Sequence, residues 1–289
     1  MMNMMKKETL FPLAATAGGI VAFLLRFLQN RTGFEATTGL PVPGNIPGIM
    51  LVIFLFLMAA GLFVLSCKLP APEAEDFPSL FTSDNKSSLF LPVIGILLIA
   101  LSGLADLYEY LTLNNLLVQL KSAADPYGAV VENSVKCFTP ASQLILGAVS
   151  ILAAGALFFT IADCRKQDGS KPFNGVYLLF PPVALVVRLV FTYRLESINP
   201  SLEAYYTELL ALVFLTLAFY TLSSFAFNAG NLRRFAFFVG LSLAFVFPSL
   251  ADGGPHLSSL LLYAGSAATL MGFLMLPFSE AVESAEEEA

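Results

Sequence analysis

Charge is what this sequence has least of. Of 289 residues, 15 are Lys or Arg and 21 are Asp or Glu, 12% together, where soluble domains carry about a quarter. That shortage excludes an ordinary soluble fold. The single histidine removes a His-Glu-x-x-His zinc pattern and any second imidazole to share a metal. Cys67, Cys137 and Cys164 show no metal-ligand spacing, so no metal site is expected. With a net charge of -6 and no basic cluster longer than two residues, nucleic acid is excluded as a partner. A phosphate-cradling Gly-rich loop ending in Lys and an Asp-rich diphosphate motif are also missing. Ser266 lacks the flanks of a nucleophile elbow and a nearby base. No catalytic residue and no cofactor are therefore assigned, and ATP energy would have to arrive through a partner subunit.

Apolar residues fill the space that charge leaves. They make up 57% of the chain, with 27 Phe and a mean hydropathy of +0.77, which excludes disorder and gives an integral membrane protein. A spanning helix needs roughly 20 apolar residues, because lipid offers no partner to an unpaired backbone group. Eight segments qualify, near 10–28, 46–66, 88–107, 140–162, 173–193, 204–227, 233–250 and 257–278. The fold class is all-α, a polytopic helix bundle forming one transmembrane domain over 1–289. The longest connections, 108–139 and 67–87, are too short for a core of their own. The second, with Pro70, Pro72, Pro78, Glu73, Glu75 and Asp76, reads as a solvated loop.

Lys and Arg counts on alternate sides set the orientation. Nine lie on the side of the termini, Lys6, Lys7, Lys68, Lys86, Arg165, Lys166, Lys171, Arg233 and Arg234, against four on the other, Arg31, Lys121, Lys136 and Arg194. Both termini are expected in the cytoplasm of a bacterial-type cell. Ala15-Thr16-Ala17 after Lys6 and Lys7 resembles a signal cleavage site, but the apolar run continues beyond it to Leu28, so the segment reads as a retained helix. Cys67 and Cys164 then fall at cytoplasmic ends and Cys137 alone outside, which leaves no structural disulfide.

Short matches between the halves admit a four-plus-four parallel repeat. Ala22 and Arg26 in span 1 match Ala184 and Arg188 in span 5. Leu104-Ala105-Asp106 at the end of span 3 matches Leu250-Ala251-Asp252 at the end of span 7. Small residues in span 4 (Gly147, Ser150, Ala153, Ala154, Gly155) and span 8 (Ala264, Gly265, Ala267, Ala268, Gly272) read as helix-packing surfaces.

Ionisable residues inside spans carry the functional expectation, since each costs about 2.5–3.5 kcal/mol at the bilayer centre unless paired or hydrated. Arg188 lies 11 residues before Asn199, about 16 Å of helix, and Glu208 lies 8 after Pro200, about 12 Å. Similar depth on adjacent helices predicts an Arg188–Glu208 pair or a shared network. Arg26, Asp106, Glu109, Glu203, Glu208 and Asp252 all fall toward the outer helix ends. Asp106 and Glu109 share one face of their helix. Tyr108, Tyr110, Tyr193, Tyr205 and Tyr206 at that level read as an interfacial belt, and His256 as an exposed loop residue. The segment after Glu109 suits an amphipathic helix, either extending span 3 or lying on the outer leaflet.

The binding candidates are Arg188, Glu208, Asp106, Glu109, Arg26 and Asp252, in a charge-lined site opening outward among spans 1, 3, 5, 6 and 7. The expected use is binding or permeation of a small solute or ion. Arg188 would hold an anionic group, and Glu208 or Asp106 a proton or cation. A second reading is a non-transporting scaffold, sensor or accessory subunit with a membrane or cytoplasmic partner. An intramembrane enzyme comes third. The lipid bilayer is the partner common to all three.

Overall fold

A computed structural model describes residues 2–35, 40–69, 77–81, 88–122, 140–165, 174–197, 202–252 and 257–287. The helices are α1 (Met2–Thr32), α2 (Ile46–Cys67), α3 (Phe77–Phe81), α4 (Phe90–Ser122), α5 (Pro140–Arg165), α6 (Phe180–Glu196), α7 (Leu202–Phe225), α8 (Leu232–Ala251) and α9 (Leu257–Glu287), with a 3-10 turn Gly175–Leu179 leading into α6. All but α3 are long and apolar enough to cross a membrane. Among the described residues no strand forms beyond one isolated bridge, Phe34 with Pro41.

The spans fall within a few residues of the sequence boundaries, because Pro and Gly punctuate the apolar runs where the helices stop. Asn231 caps α8 through its side chain, which accepts from the Arg234 N–H, and Pro occupies the first turns of α2 and α6. α4 runs on as one helix of 33 residues, about 50 Å at 1.5 Å per residue, so the amphipathic segment is an extension of span 3. Cys137 and His256 lie outside the described residues.

Eight crossings return the chain to the face it starts from. That end is called the terminal face here, and the opposite end, with the α1–α2, α4–α5, α6–α7 and α8–α9 connections, the distal face. α8 is the most central span, about two thirds buried, and packs on α1, α2, α7 and α9. α9 packs most extensively on α4, and α4 on α5. Glycines set both approaches. A Cβ on Gly95 would lie 2.5 Å from Thr269 N and 2.6 Å from the Gly265 carbonyl oxygen, and one on Gly147 would lie 2.8 Å from the Gly103 carbonyl oxygen. These are backbone-on-backbone contacts that no larger residue permits. Gly147, Gly265 and Gly272 thus pack helices as expected, whereas Gly155 faces open space.

Of the 67–87 connection, residues 70–76 and 82–87, with Pro70, Pro72, Glu73, Glu75 and Asp76, lie outside the described residues, but 77–81 departs from the solvated loop expected there. Phe77 and Phe81 of α3 are fully buried, and the Phe81 ring meets those of Phe225, Phe235 and Phe273 at 5.2–6.0 Å, edge to face. The acids and prolines concealed a short apolar plug, built on Phe77, Leu80 and Phe81, that closes the terminal face of α7, α8 and α9. Arg233 Nε donates to the Leu69 carbonyl at 2.8 Å and ties down the entry to this segment.

Candidate functional site

Two Arg–Asp pairs lie toward the distal face. In the first, Arg188 Nη1 on α6 donates to Asp106 Oδ2 on α4 at 2.6 Å, while Nη2 donates to Ser258 Oγ at 3.2 Å and Ser259 Oγ at 3.1 Å in the first turn of α9. Ser102 Oγ donates to the Ser258 carbonyl at 2.7 Å, fixing α4 against the same turn. Arg188 is 4% exposed and Asp106 not at all. The crevice one turn below, lined by Ala184, Leu185 and Ser266 among others, measures about 10 Å³, room for a single water at most.

Arg188 and Glu208 therefore do not pair directly. Pro181, Pro182, Leu185 and Arg188 form the buried face of α6, and the carboxylate that meets the guanidinium is on α4. Glu208 Oε1 instead accepts from Tyr263 Oη at 2.6 Å. Ser259, which accepts from Arg188, lies one turn before Tyr263 on α9. Glu109 lies one turn beyond Asp106, half-buried.

The second pair joins α1 to the end of α8. Arg26 Nε donates to Asp252 Oδ1 at 2.6 Å, and its Nη1 donates to Gln29 Oε1 at 2.8 Å and to the Glu203 carbonyl at 3.0 Å. Asn30 Nδ2 donates to the same Asp252 oxygen at 2.9 Å, and Thr207 Oγ1 to Oδ2 at 2.9 Å. Asp252 is the C-cap residue of α8, the negative end of the helix dipole, where a carboxylate is disfavoured. Arg26, Asn30 and Thr207 offset that repulsion. Thr207 and Glu208 are adjacent on α7, the first bonded to Asp252 and the second to Tyr263.

Open space lies beside Arg26, away from Arg188. A half-open cavity of about 500 Å³ sits between α1, the α1–α2 turn, α2 and α7, with Gln29, Asn45, Glu203 and Tyr206 as its polar lining. The turn is closed by the Val42 N–H donating to the Gly33 carbonyl at 2.8 Å, and Gly44 takes φ +75°, a conformation that favours glycine. Asn45 follows at the N-cap of α2 but makes no capping bond with its side chain. Its Nδ2 and the Tyr206 hydroxyl are buried without a hydrogen-bond partner, a costly state. A second opening of about 430 Å³, lined by Arg26, Asn30, Arg31 and Asp252 among others, lies on the other side of the guanidinium.

The candidates thus divide. Arg188 with Asp106 and Arg26 with Asp252 are brought together in separate pairs, and Glu208 bonds to Tyr263. The opening involves α2, which the charges alone did not implicate. Gln29, Asn30, Asn45, Thr207, Ser258, Ser259 and Tyr263 were missed because they are uncharged. Their shared depth along apolar helices was the available signal. Tyr108 and Tyr193 are exposed, as rim anchors would be, but Tyr206 lies over Arg26 with its ring centre 5.5 Å from Cζ. No family model, no curated protein and no solved structure matches this chain.

Proposed function

We propose that this multi-pass membrane protein binds a small cationic solute in the cavity between α1, α2 and α7, with the distal face outward and both termini in a bacterial-type cytoplasm. The observation that carries the reading is a cavity whose lining joins Glu203 to Asn45 and Tyr206, two side chains that each keep a buried polar atom, Nδ2 and Oη, without a hydrogen-bond partner. Glu203 is the sole carboxylate in its lining and no Lys or Arg lines it, which favours a positively charged guest. Arg26 and Asp252 form the wall behind. Arg188 and Asp106 serve architecture, as their burial among serines supports. The excess of Lys and Arg toward the terminal face supports the orientation.

The four-plus-four repeat gains support from the crossed pairing, in which each half's Arg meets the other half's Asp. A scaffold or accessory subunit is the second reading, favoured by the sealed Arg188–Asp106 pair.

The test uses Ile49→Cys, in the cavity lining, with Cys67, Cys137 and Cys164 replaced by Ser. A membrane-impermeant maleimide should label intact cells, and ethanolamine, but not acetate, should slow the labelling. Labelling only after permeabilisation, or no protection by ethanolamine, overturns the reading.

A further inference from the structure

The polar cavity does not end at its polar residues. Below it, Val52, Leu55, Phe56 and Ala59 of α2 face Leu210 and Phe214 of α7 across a groove of about 370 Å³, floored by Leu241 and Phe245 of α8. Val52 and Tyr206 line both spaces, so the cavity and the groove meet. α2 packs on α1 and α8, which leaves its α7 side as the open wall. From Asn45 to Ala59 the slot follows 14 residues of α2, about 21 Å at 1.5 Å per residue, against roughly 15 Å for one leaflet's hydrocarbon.

A water-soluble amine would occupy only the head of such a slot. We infer that its occupant is an amine-headed membrane lipid, with the ammonium group at Glu203, the rest of the head group in the cavity beside Asn45 and Tyr206, and one acyl chain along the groove. This rests on the cationic-solute reading above and names its substrate class. Charge argues for the head: among the described residues Glu203 is the only ionisable acid lining the cavity and no Lys or Arg lines it, so a head group that ends in an ammonium is matched there and one that ends in an uncharged glycerol is not. Shape argues for the tail, since the groove is walled by Leu, Val, Ala and Phe, with Phe56 75% and Val52 41% exposed along it. The stacked Phe214 and Phe245 rings, 5.0 Å between centroids, give it a rigid base.

The experiment follows the melting temperature of the purified full-length protein in a mild detergent, titrated with short-chain phosphatidylethanolamine, short-chain phosphatidylglycerol or free ethanolamine. Phosphatidylethanolamine should stabilise saturably and at lower concentration than either other probe. Glu203→Gln should weaken it about tenfold or more, the value of one charged hydrogen bond, and abolish the preference over phosphatidylglycerol. Ala59→Phe should block the groove and reduce the lipid effect while leaving that of ethanolamine. Leu57→Phe, on another exposed face of α2, serves as the folding and bulk-lipid control and should change nothing. If ethanolamine acts but the lipid gains nothing over it, the lipid assignment falls and the cationic-solute reading stands. If none of the three acts, both fall. Equal effects of the two lipids, or an Ala59→Phe response matching Leu57→Phe, also overturn the assignment.

Discussion

Replacing Asp106 by Asn tests whether α4, and not α7, supplies the partner of Arg188. At 2.6 Å and an effective dielectric of 20 the pair's gross attraction is about 6 kcal/mol. Several kcal/mol per ion of desolvation offset it, so the intact pair adds little net stability. Removing one charge is different, because the desolvation of the other remains. Asp106→Asn should cost about 3–5 kcal/mol, since Arg188 is 4% exposed and no other carboxylate hydrogen-bonds it. Glu208→Gln keeps an acceptor for Tyr263 and should cost about 0.6 kcal/mol, the common size of an interhelical hydrogen bond in a membrane protein. The double variant Asp106→Leu/Arg188→Met should recover most of the single-variant loss. Denaturant-induced unfolding in mixed micelles, followed by helix content, measures all three. A Glu208→Gln cost equal to that of Asp106→Asn, or a double variant no better than Asp106→Asn, would refute the assignment.

The remaining expectations follow from particular contacts. Gly95→Ala places a methyl group against the α9 backbone and should cost about 1–3 kcal/mol by forcing α4 and α9 apart, whereas Gly155→Ala, with open space around it, should stay within about 0.5 kcal/mol in the same unfolding assay. Phe81→Ala removes the ring that meets three others and should cost about 3–5 kcal/mol, with faster proteolytic cleavage of the 67–87 connection. Arg26→Lys retains the charge but cannot reach Asp252, Gln29 and the Glu203 carbonyl together. It should loosen α1 against α8, read as faster amide hydrogen exchange near Asp252, while Arg31→Lys changes nothing there.

Much of the architecture could be read from the chain, because spanning helices obey a solvent rule that composition expresses directly. An apolar run of sufficient length must be a helix, and its ends fall where Pro, Gly and Asn collect, as at Asn45-Ile46-Pro47 and Asn228–Asn231. Depth was equally accessible, since it is residue count times rise. Arg188 and Glu208 were expected to pair or share a network, but Arg188 meets Asp106 and Glu208 meets Tyr263. Partner choice depends on the angle at which each helix face points, and that is set by neighbours distant in sequence. Asp106 lies 82 residues before Arg188, and α4 reaches it only because glycines let α4 and α9 approach closely. The 67–87 connection shows the complementary failure, where average polarity hid three apolar residues, Phe77, Leu80 and Phe81, whose burial depends on a pocket formed by α7, α8 and α9.

Identical ion-pair chemistry serves different ends in the two networks because the surroundings differ. Around Arg188, two serine hydroxyls and one Asp106 oxygen accept its hydrogen bonds, the other Asp106 oxygen is buried without a partner, and both charged side chains are at most 5% exposed. A guest there would have to displace bonds made inside a dry protein, at several kcal/mol with nothing in return. Around Arg26 the guanidinium is equally buried, but Asp252 is 19% exposed and openings lie on both sides. Rearranging partners there costs less, because water can stand in for a lost bond while a ligand enters or leaves. The Arg26 carbonyl contact also reaches Glu203 on α7, so a shift of Glu203 toward a cationic head would be felt at Asp252 through Arg26 and Thr207. Occupancy of the cavity should therefore change hydrogen exchange at the α8 C-terminus and leave the Arg188 network undisturbed.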